Sequence, residues 1–272
     1  SSQNLVLIPY MSGSGIRNKV SFPEKDFNFD AGLDIKMALS SSLNLDLTFN
    51  PDFSQVEVDE QRTNLTRFEL FLPEKREFFT DNADLFSNLG SRESRPMFTR
   101  RIGIAKDTTT SQYVQNPIIY GAKLSGKLSD DLRIGILNMQ TSKLSNSGIP
   151  SYNYGMAVLE KNILKNSTVS GFIINKQSLF NDDSKDYAHD LDNFNRVFGF
   201  ESKLQSNDTR FKSQLYYHHS LENENNPNSN SYGVNASYEK RNFESNIYFY
   251  AVGENFNPEV GFVPRKDYIF LS

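Results

Sequence analysis

Cysteine and tryptophan are absent from the 272-residue chain. The first absence excludes disulfides, thiolate metal sites and a cysteine nucleophile. Histidine is scarce: three residues rule out a histidine-rich zinc site. Two of them, His218 and His219, are neighbours, and on a strand they point to opposite faces and do not chelate one metal as a pair. No long apolar run exists. The longest, Ile247 to Val252, falls far short of the roughly 20 residues a spanning helix needs. Net charge is only −4, which argues against a nucleic-acid partner. No basic, apolar leader opens the chain, so any signal peptide is removed or lies upstream. No Gly-x-Ser-x-Gly elbow is found, and Ser12-Gly13-Ser14-Gly15 lacks the Gly-Lys-Ser/Thr of a phosphate loop. The sequence therefore assigns no catalytic residue, no metal ligands and no cofactor.

What is present is aromatic and alternating. Aromatics make up 13% of the chain, with 22 Phe and 13 Tyr. That is enough burial-prone area to argue against disorder. Leu33, Ile35, Met37 and Leu39 interleave with Asp34 and Lys36. Leu43, Leu45, Leu47 and Phe49 interleave with Asn44, Asp46 and Thr48. Tyr232, Val234, Ala236 and Tyr238 interleave with Asn235, Ser237 and Glu239. This period of two predicts strands with one apolar and one polar face. Short polar turns (Ser40-Ser41-Ser42, Ser129-Asp130-Asp131, Lys165-Asn166-Ser167, Ser206-Asn207-Asp208) alternate with longer segments near 142–150, 181–192 and 223–230. Strands of about 10 residues in an up-and-down meander with unlike ends suit a transmembrane barrel. Tyrosines near the run ends, such as Tyr152 with Tyr154 and Tyr248 with Tyr250, suit an interfacial girdle, though β propensity also enriches them. Alternation alone leaves a soluble sandwich open. In the barrel reading, Leu124, Ile134, Val234 and Ile247 face lipid, and Lys123, Arg133, Glu201 and Glu239 face the lumen.

Residues 50–101 break the alternation and are too many for a bare loop. Leu65, Phe68 and Leu72 have helical spacing, with Thr63 or Asn64 as a cap. The stretch is expected to be a folded, partly helical insertion that plugs a lumen or packs on the periplasmic side. Its core is expected to be Leu65, Phe68, Leu72, Phe78, Phe79 and Phe86. Asp52, Glu57, Asp59 and Glu60 form an acidic cluster. They suit a hard cation less well than pairing with Lys75, Arg76, Arg100 or Arg101, because buried carboxylates need donors and the spacing is not that of a calcium loop. A second acidic run, Asp182 to Asp192, reads as a solvated loop.

The same stretch carries a resemblance. It reads Asn50-Pro51-Asp52-Phe53-Ser54-Gln55-Val56-Glu57-Val58-Asp59, then Asn64-Leu65-Thr66-Arg67-Phe68-Glu69, then Pro73-Glu74-Lys75-Arg76-Glu77-Phe78-Phe79. Ala83-Asp84-Leu85-Phe86 and Arg100-Arg101-Ile102-Gly103 follow, with Phe256-Asn257-Pro258-Glu259-Val260-Gly261-Phe262 near the end. Together these resemble a family of large Gram-negative outer-membrane proteins whose barrel domain is of unknown function. In that family the barrel follows an N-terminal domain like the family-9 carbohydrate-binding modules. Glu77 stands where the family pattern has proline, and Asp81-Asn82 where it has an acidic residue with glycine. The resemblance implies an all-β, antiparallel up-and-down barrel in the cell outer membrane, with residues 1–272 forming its N-terminal part and 50–101 its insertion. It implies outer-membrane lipid, other envelope proteins and, through the N-terminal domain, glycan as partners. The expected function is a non-enzymatic component of uptake, export or envelope assembly. The alternative is a surface protein that binds or hydrolyses glycan.

Overall fold

The computed structural model describes residues 4–17, 25–51, 73–107, 113–179, 194–224 and 226–272. Among these described residues fourteen strands are formed: β1 (Leu5–Arg17), β2 (Lys25–Ala38), β3 (Leu43–Phe49), β4 (Ile104–Lys106), β5 (Tyr113–Gln115), β6 (Ile118–Lys127) and β7 (Leu132–Thr141), then β8 (Ser151–Leu164), β9 (Ser167–Leu179), β10 (Phe194–Gln205), β11 (Phe211–Leu221), β12 (Asn230–Lys240), β13 (Phe243–Val252) and β14 (Tyr268–Leu271). Twelve of them make one antiparallel meander in the order β1-β2-β3-β6-β7-β8-β9-β10-β11-β12-β13-β14, and β4 with β5 makes a separate hairpin. The fold is all-β. Among the described residues β1 and β14 do not pair with each other, so the sheet is open.

The two ends differ. At one end β2–β3, β6–β7, β8–β9, β10–β11 and β12–β13 are joined by the short polar turns. At the other end lie the long connections, and β3 leaves the sheet there. The link from β3 to β6 runs from 50 to 117, past Arg101, because the β4–β5 hairpin still lies outside the large sheet. Its described part folds back along one face of that sheet. Two one-turn helices, α1 (Glu77–Thr80) and α2 (Asp84–Ser87), and a 3-10 turn at Thr99–Arg101 shape it. The expected helix around Leu65 to Leu72 lies outside the described residues, as do Asp52, Glu57, Asp59 and the run Asp182 to Asp192.

Register assigns the two faces. On the inner face Lys36, Asp46, Lys123, Leu137, Met156, Ile174 and Val197 lie in one row across β2 to β10. On the outer face Leu45, Leu124, Ile136, Ala157, Ile173 and Phe198 lie in another. The core sits between the inner face and the returning segment. Phe78, Phe79, Leu85, Phe86, Met97 and Ile102 pack against Leu137, Met139, Tyr154, Met156, Val158 and Phe172. A second segment, 253–263, joins them through Phe256 and Val260. It is stapled to the first by paired backbone bonds between Arg95 and Phe262 at 3.0 and 2.9 Å, and by Phe98 N–H to the Val260 carbonyl at 2.7 Å.

Phe86 shows why the wall has the shape it does. Its ring lies over Gly135, where a Cβ would meet both Phe86 and Val158. Phe86→Ala is expected to lower unfolding free energy by about 3–5 kcal/mol, since the cavity is walled by strands that do not collapse. Denaturant unfolding followed by tyrosine near-UV circular dichroism measures this, and an unchanged midpoint would show that the ring carries no packing.

Candidate functional site between the inner segments and the sheet

The inner face carries charges that are held by the segments covering it. Lys123 on β6 is 1% exposed. Its Nζ donates to the carbonyl oxygens of Phe78 at 2.5 Å and Asp81 at 2.8 Å, at the C-terminal end of α1. Asp46 Oδ2 lies 3.1 Å away, an ion-pair distance that lacks hydrogen-bond alignment. Lys36 on β2 bonds Glu77 Oε1 at 2.6 Å and Asp81 Oδ2 at 2.5 Å. Arg133 on β7 bridges Asp84 Oδ2 at 2.6 Å and Glu160 Oε1 at 2.9 Å. The α1–α2 turn is thus clamped by three cations from three strands.

On the far side of the segment the polarity reverses. Glu201 on β10 accepts from Gly90 N–H at 2.5 Å and lies 3.0 Å from His218 Nε2. Both side chains are fully buried. Gln214 donates to the Gly90 carbonyl at 2.9 Å, and Lys203 to that of Asn88 at 2.8 Å. Gly90 sits at φ +73°, and a Cβ there would overlap the Ser94 carbonyl. His218 stacks on Tyr216 with 4.9 Å between centroids and meets Phe172 edge-on at 5.2 Å. A carboxylate and an imidazole closed off this completely have no access for a substrate, and here they hold the loop at Gly90. The second segment is pinned in the same way. Lys176 on β9 donates to Glu259 Oε2 at 2.6 Å, and Asn195 to the Asn257 carbonyl at 2.7 Å.

Inside the segment, Arg76 organises the fold. Its guanidinium donates to Glu74 through Nε and Nη2 and to the carbonyls of Ile102 and Thr99, and lies 4.2 Å from the Phe79 ring centroid. Burial pushes the Glu74 carboxyl up, but the bonds and charge of Arg76, with Thr99, outweigh it and hold the group below its ordinary value. Of the residues singled out from sequence, Phe78, Phe79 and Phe86 stand together in the core. Arg100 is buried and donates to the Pro73 carbonyl at 2.5 Å, while Arg101 reaches the Gly261 carbonyl at 3.4 Å. Leu65, Phe68 and Leu72 lie outside the described residues together with the three acids, so their meeting with these arginines is not described either. Among the described residues no group of three or more acids and histidines is placed to hold a metal.

Alternating strands, the α1–α2 turn and the Phe256–Phe262 segment belong to one continuous pattern. It matches the family described as domain of unknown function DUF5916 over residues 2–269. The chain belongs to that family. No curated protein and no solved structure matches it. The two departures noted above both fall on or beside α1. Glu77 is the first residue of α1, a position that also suits proline, and its carboxylate holds Lys36. Asn82 has φ +49°, the left-handed conformation glycine adopts freely and asparagine tolerates. Sequence reading reached the inward direction of Lys123, Arg133 and Glu201. It missed Lys36, Lys176 and Glu259 as clamp residues, because their partners are 41 and 83 positions away in sequence.

Lys123→Met is expected to cost about 3–5 kcal/mol by leaving Asp46 buried without its cation, and Asp46→Asn added to it restores part of the loss. A double-mutant cycle by chemical unfolding measures both, and a double loss equal to the sum of the two single losses would dissociate the pair. The Glu74 shift also has a sign. Its folded pKa lies below the unfolded 4.5. Its contribution is therefore complete above the unfolded value and is lost as pH falls through the lower folded one. Unfolding midpoints measured between about pH 5 and 3 should fall more steeply in the native chain than in Glu74→Gln. Parallel curves would remove Glu74 from the acid response.

Proposed function

We propose that this chain forms wall and plug of an outer-membrane β-barrel, and acts without catalysis in uptake, export or envelope assembly alongside other envelope proteins. The observation that carries this reading is the inversion of its two faces. The inner face is charged and covered, while the outer face is apolar and uncovered. Ile136, Leu159, Ile173, Phe200, Val234 and Ile247 all point outward, with Phe200 70% exposed. A water-soluble sheet rarely leaves so large a contiguous apolar face open.

The outer band has a slant. The row through Ile136, Ala157, Ile173 and Phe198 continues to His219 and Asn230, where it turns polar. By β12 and β13 the apolar stretch has moved towards the short-turn end, to Val234, Phe249 and Ile247. Strands tilted against a flat bilayer produce such a drift, because the hydrocarbon plane then cuts obliquely across the hydrogen-bonded rows. Towards the long-loop end the band meets Asn138 bonded to Asn153, and Arg196 bonded to Asn175. No helix among the described residues is long and apolar enough to cross a membrane, so crossing here is a matter for strands. Unpaired amides in lipid cost several kcal/mol each. In the membrane β1 and β14 therefore pair with each other or with strands outside residues 4–272.

In bacterial barrels the short turns face the periplasm. By that convention the inner segments enter from the outer side, through the long connections after β3 and β13. The clamp of Lys36, Lys123 and Arg133 then lies deep, and opening a lumen requires breaking it. Ile136→Lys and Ile173→Lys are each expected to cost about 2–4 kcal/mol in lipid if near the midplane, and far less is expected for the inner-facing, half-buried Ser237→Lys control. Cell fractionation with a heat-modifiability gel of the full-length protein tests the reading. Outer-membrane recovery and a mobility shift on boiling are expected, and extraction by buffer without detergent would overturn it.

A further inference from the structure

At the long-loop end the inner segments leave a cavity of about 630 Å³. It lies between the inner side of β8 and β9, the β4–β5 hairpin, the turn 148–150 and the segment 257–266. Its floor is Tyr152 and Tyr154 on β8 with Lys176 on β9, which register places opposite Tyr154. Asn257, Glu259 and Lys266 form the facing wall. Tyr113, the first residue of β5, stands at the rim.

Two of these tyrosines are placed for a ligand. Tyr154 is 4% exposed, yet its hydroxyl makes no hydrogen bond with any described residue. A buried O–H in that state keeps its desolvation cost uncompensated. Tyr113 is the reverse case. Its ring is 58% exposed and meets no other ring or cation among the described residues. A hairpin that stands apart from the large sheet holds it beside the opening.

The charged groups have bonding capacity left over, though they are already partnered. Lys176 gives one N–H to Glu259 Oε2 at 2.6 Å and lies 4.3 Å from the Tyr152 ring centroid. An ammonium carries three donors, and Glu259 Oε1 accepts from no described residue. Lys266 gives one N–H to Asn257 Oδ1 at 3.0 Å. Donors and acceptors therefore lie side by side on the same wall, around a phenol that can act as either.

We infer that this cavity binds a neutral saccharide, one pyranose ring against Tyr113 and its hydroxyls bonded to Tyr154, Lys176 and Glu259. The ring C–H groups of a pyranose carry partial positive charge and pack on the negative face of an aromatic ring. A sugar hydroxyl both donates and accepts, so one group can give to Glu259 Oε1 and take from Lys176 Nζ. An anionic ligand would set its charge against Glu259, and an apolar one would leave the Tyr154 hydroxyl unsatisfied. A peptide backbone offers donors and acceptors at separate groups, which suits this mixed wall less well.

The inference deepens the uptake reading by naming its solute and rests on that reading for biological direction alone. Binding is measured in a detergent without a sugar headgroup, so a silent titration leaves membrane recovery and heat-modifiability as they stand. The probes are α-linked and β-linked glucose trisaccharides, titrated calorimetrically into the full chain beside a neutral tripeptide with blocked ends. At least one trisaccharide is expected to bind, more tightly than the tripeptide and with an affinity that added salt does not change. Tyr154→Phe removes a single oxygen, and Tyr113→Ala removes an exposed ring. Each is expected to weaken binding about tenfold while the unfolding midpoint stays native. Failure of both trisaccharides to bind, equal affinity for the tripeptide, loss of affinity in salt, or an affinity unchanged in both folded variants would each overturn the assignment.

Discussion

A lysine amine with almost no access to water dictates how this fold is assembled. Lys123 sits in the middle of a strand, and a buried ammonium without partners would cost several kcal/mol. Asp46 on the neighbouring strand supplies charge, and the carbonyls of Phe78 and Asp81 supply acceptors. Those carbonyls are available because α1 is a single turn whose last C=O groups have no partner within the helix. The cation solves the helix's problem and the helix solves the cation's. Phe78 and Phe79 are drawn against the wall by the same contact, and the apolar core forms around them.

The same logic recurs along the wall with alternating sign. Cations from β2, β6 and β7 take the acids and carbonyls of the α1–α2 turn. A carboxylate from β10 takes the N–H of Gly90, and Lys176 from β9 takes Glu259. Each clamp joins a strand to a non-strand segment, so sheet and inner segments are mutually dependent. The two inner segments also hold each other at Arg95 and Phe262. Charges on an inner face that would repel a dry core are thereby built into a packed one. Where the clamps stop, between β11 and β14, the space is left open and lined with aromatics.

An outer face of Ile, Leu, Val and Phe completes the inversion. For a sheet whose polar side is occupied by its own chain, solvent contact falls on the apolar side. Lipid against that face would remove the cost, as the proposed membrane wall requires.

By itself the sequence determined most strands of the large sheet, the short turns and the alternation of faces along them, but not the β4–β5 hairpin or β14. A period of two is a local property, and Leu124 and Lys123 declare opposite faces without reference to anything distant. It also singled out Phe78, Phe79 and Phe86 as core residues of the stretch after β3, and in the described residues 73–101 they are buried together. Only the tertiary structure decided what those faces meet. Lys36 finds Glu77, Lys176 finds Glu259 and Glu201 finds Gly90 across separations of 41, 83 and 111 residues. No periodicity encodes such pairings. They exist because the connection after β3 and the one after β13 return to the same inner face, where each buried charge must find a partner before it can be buried at all.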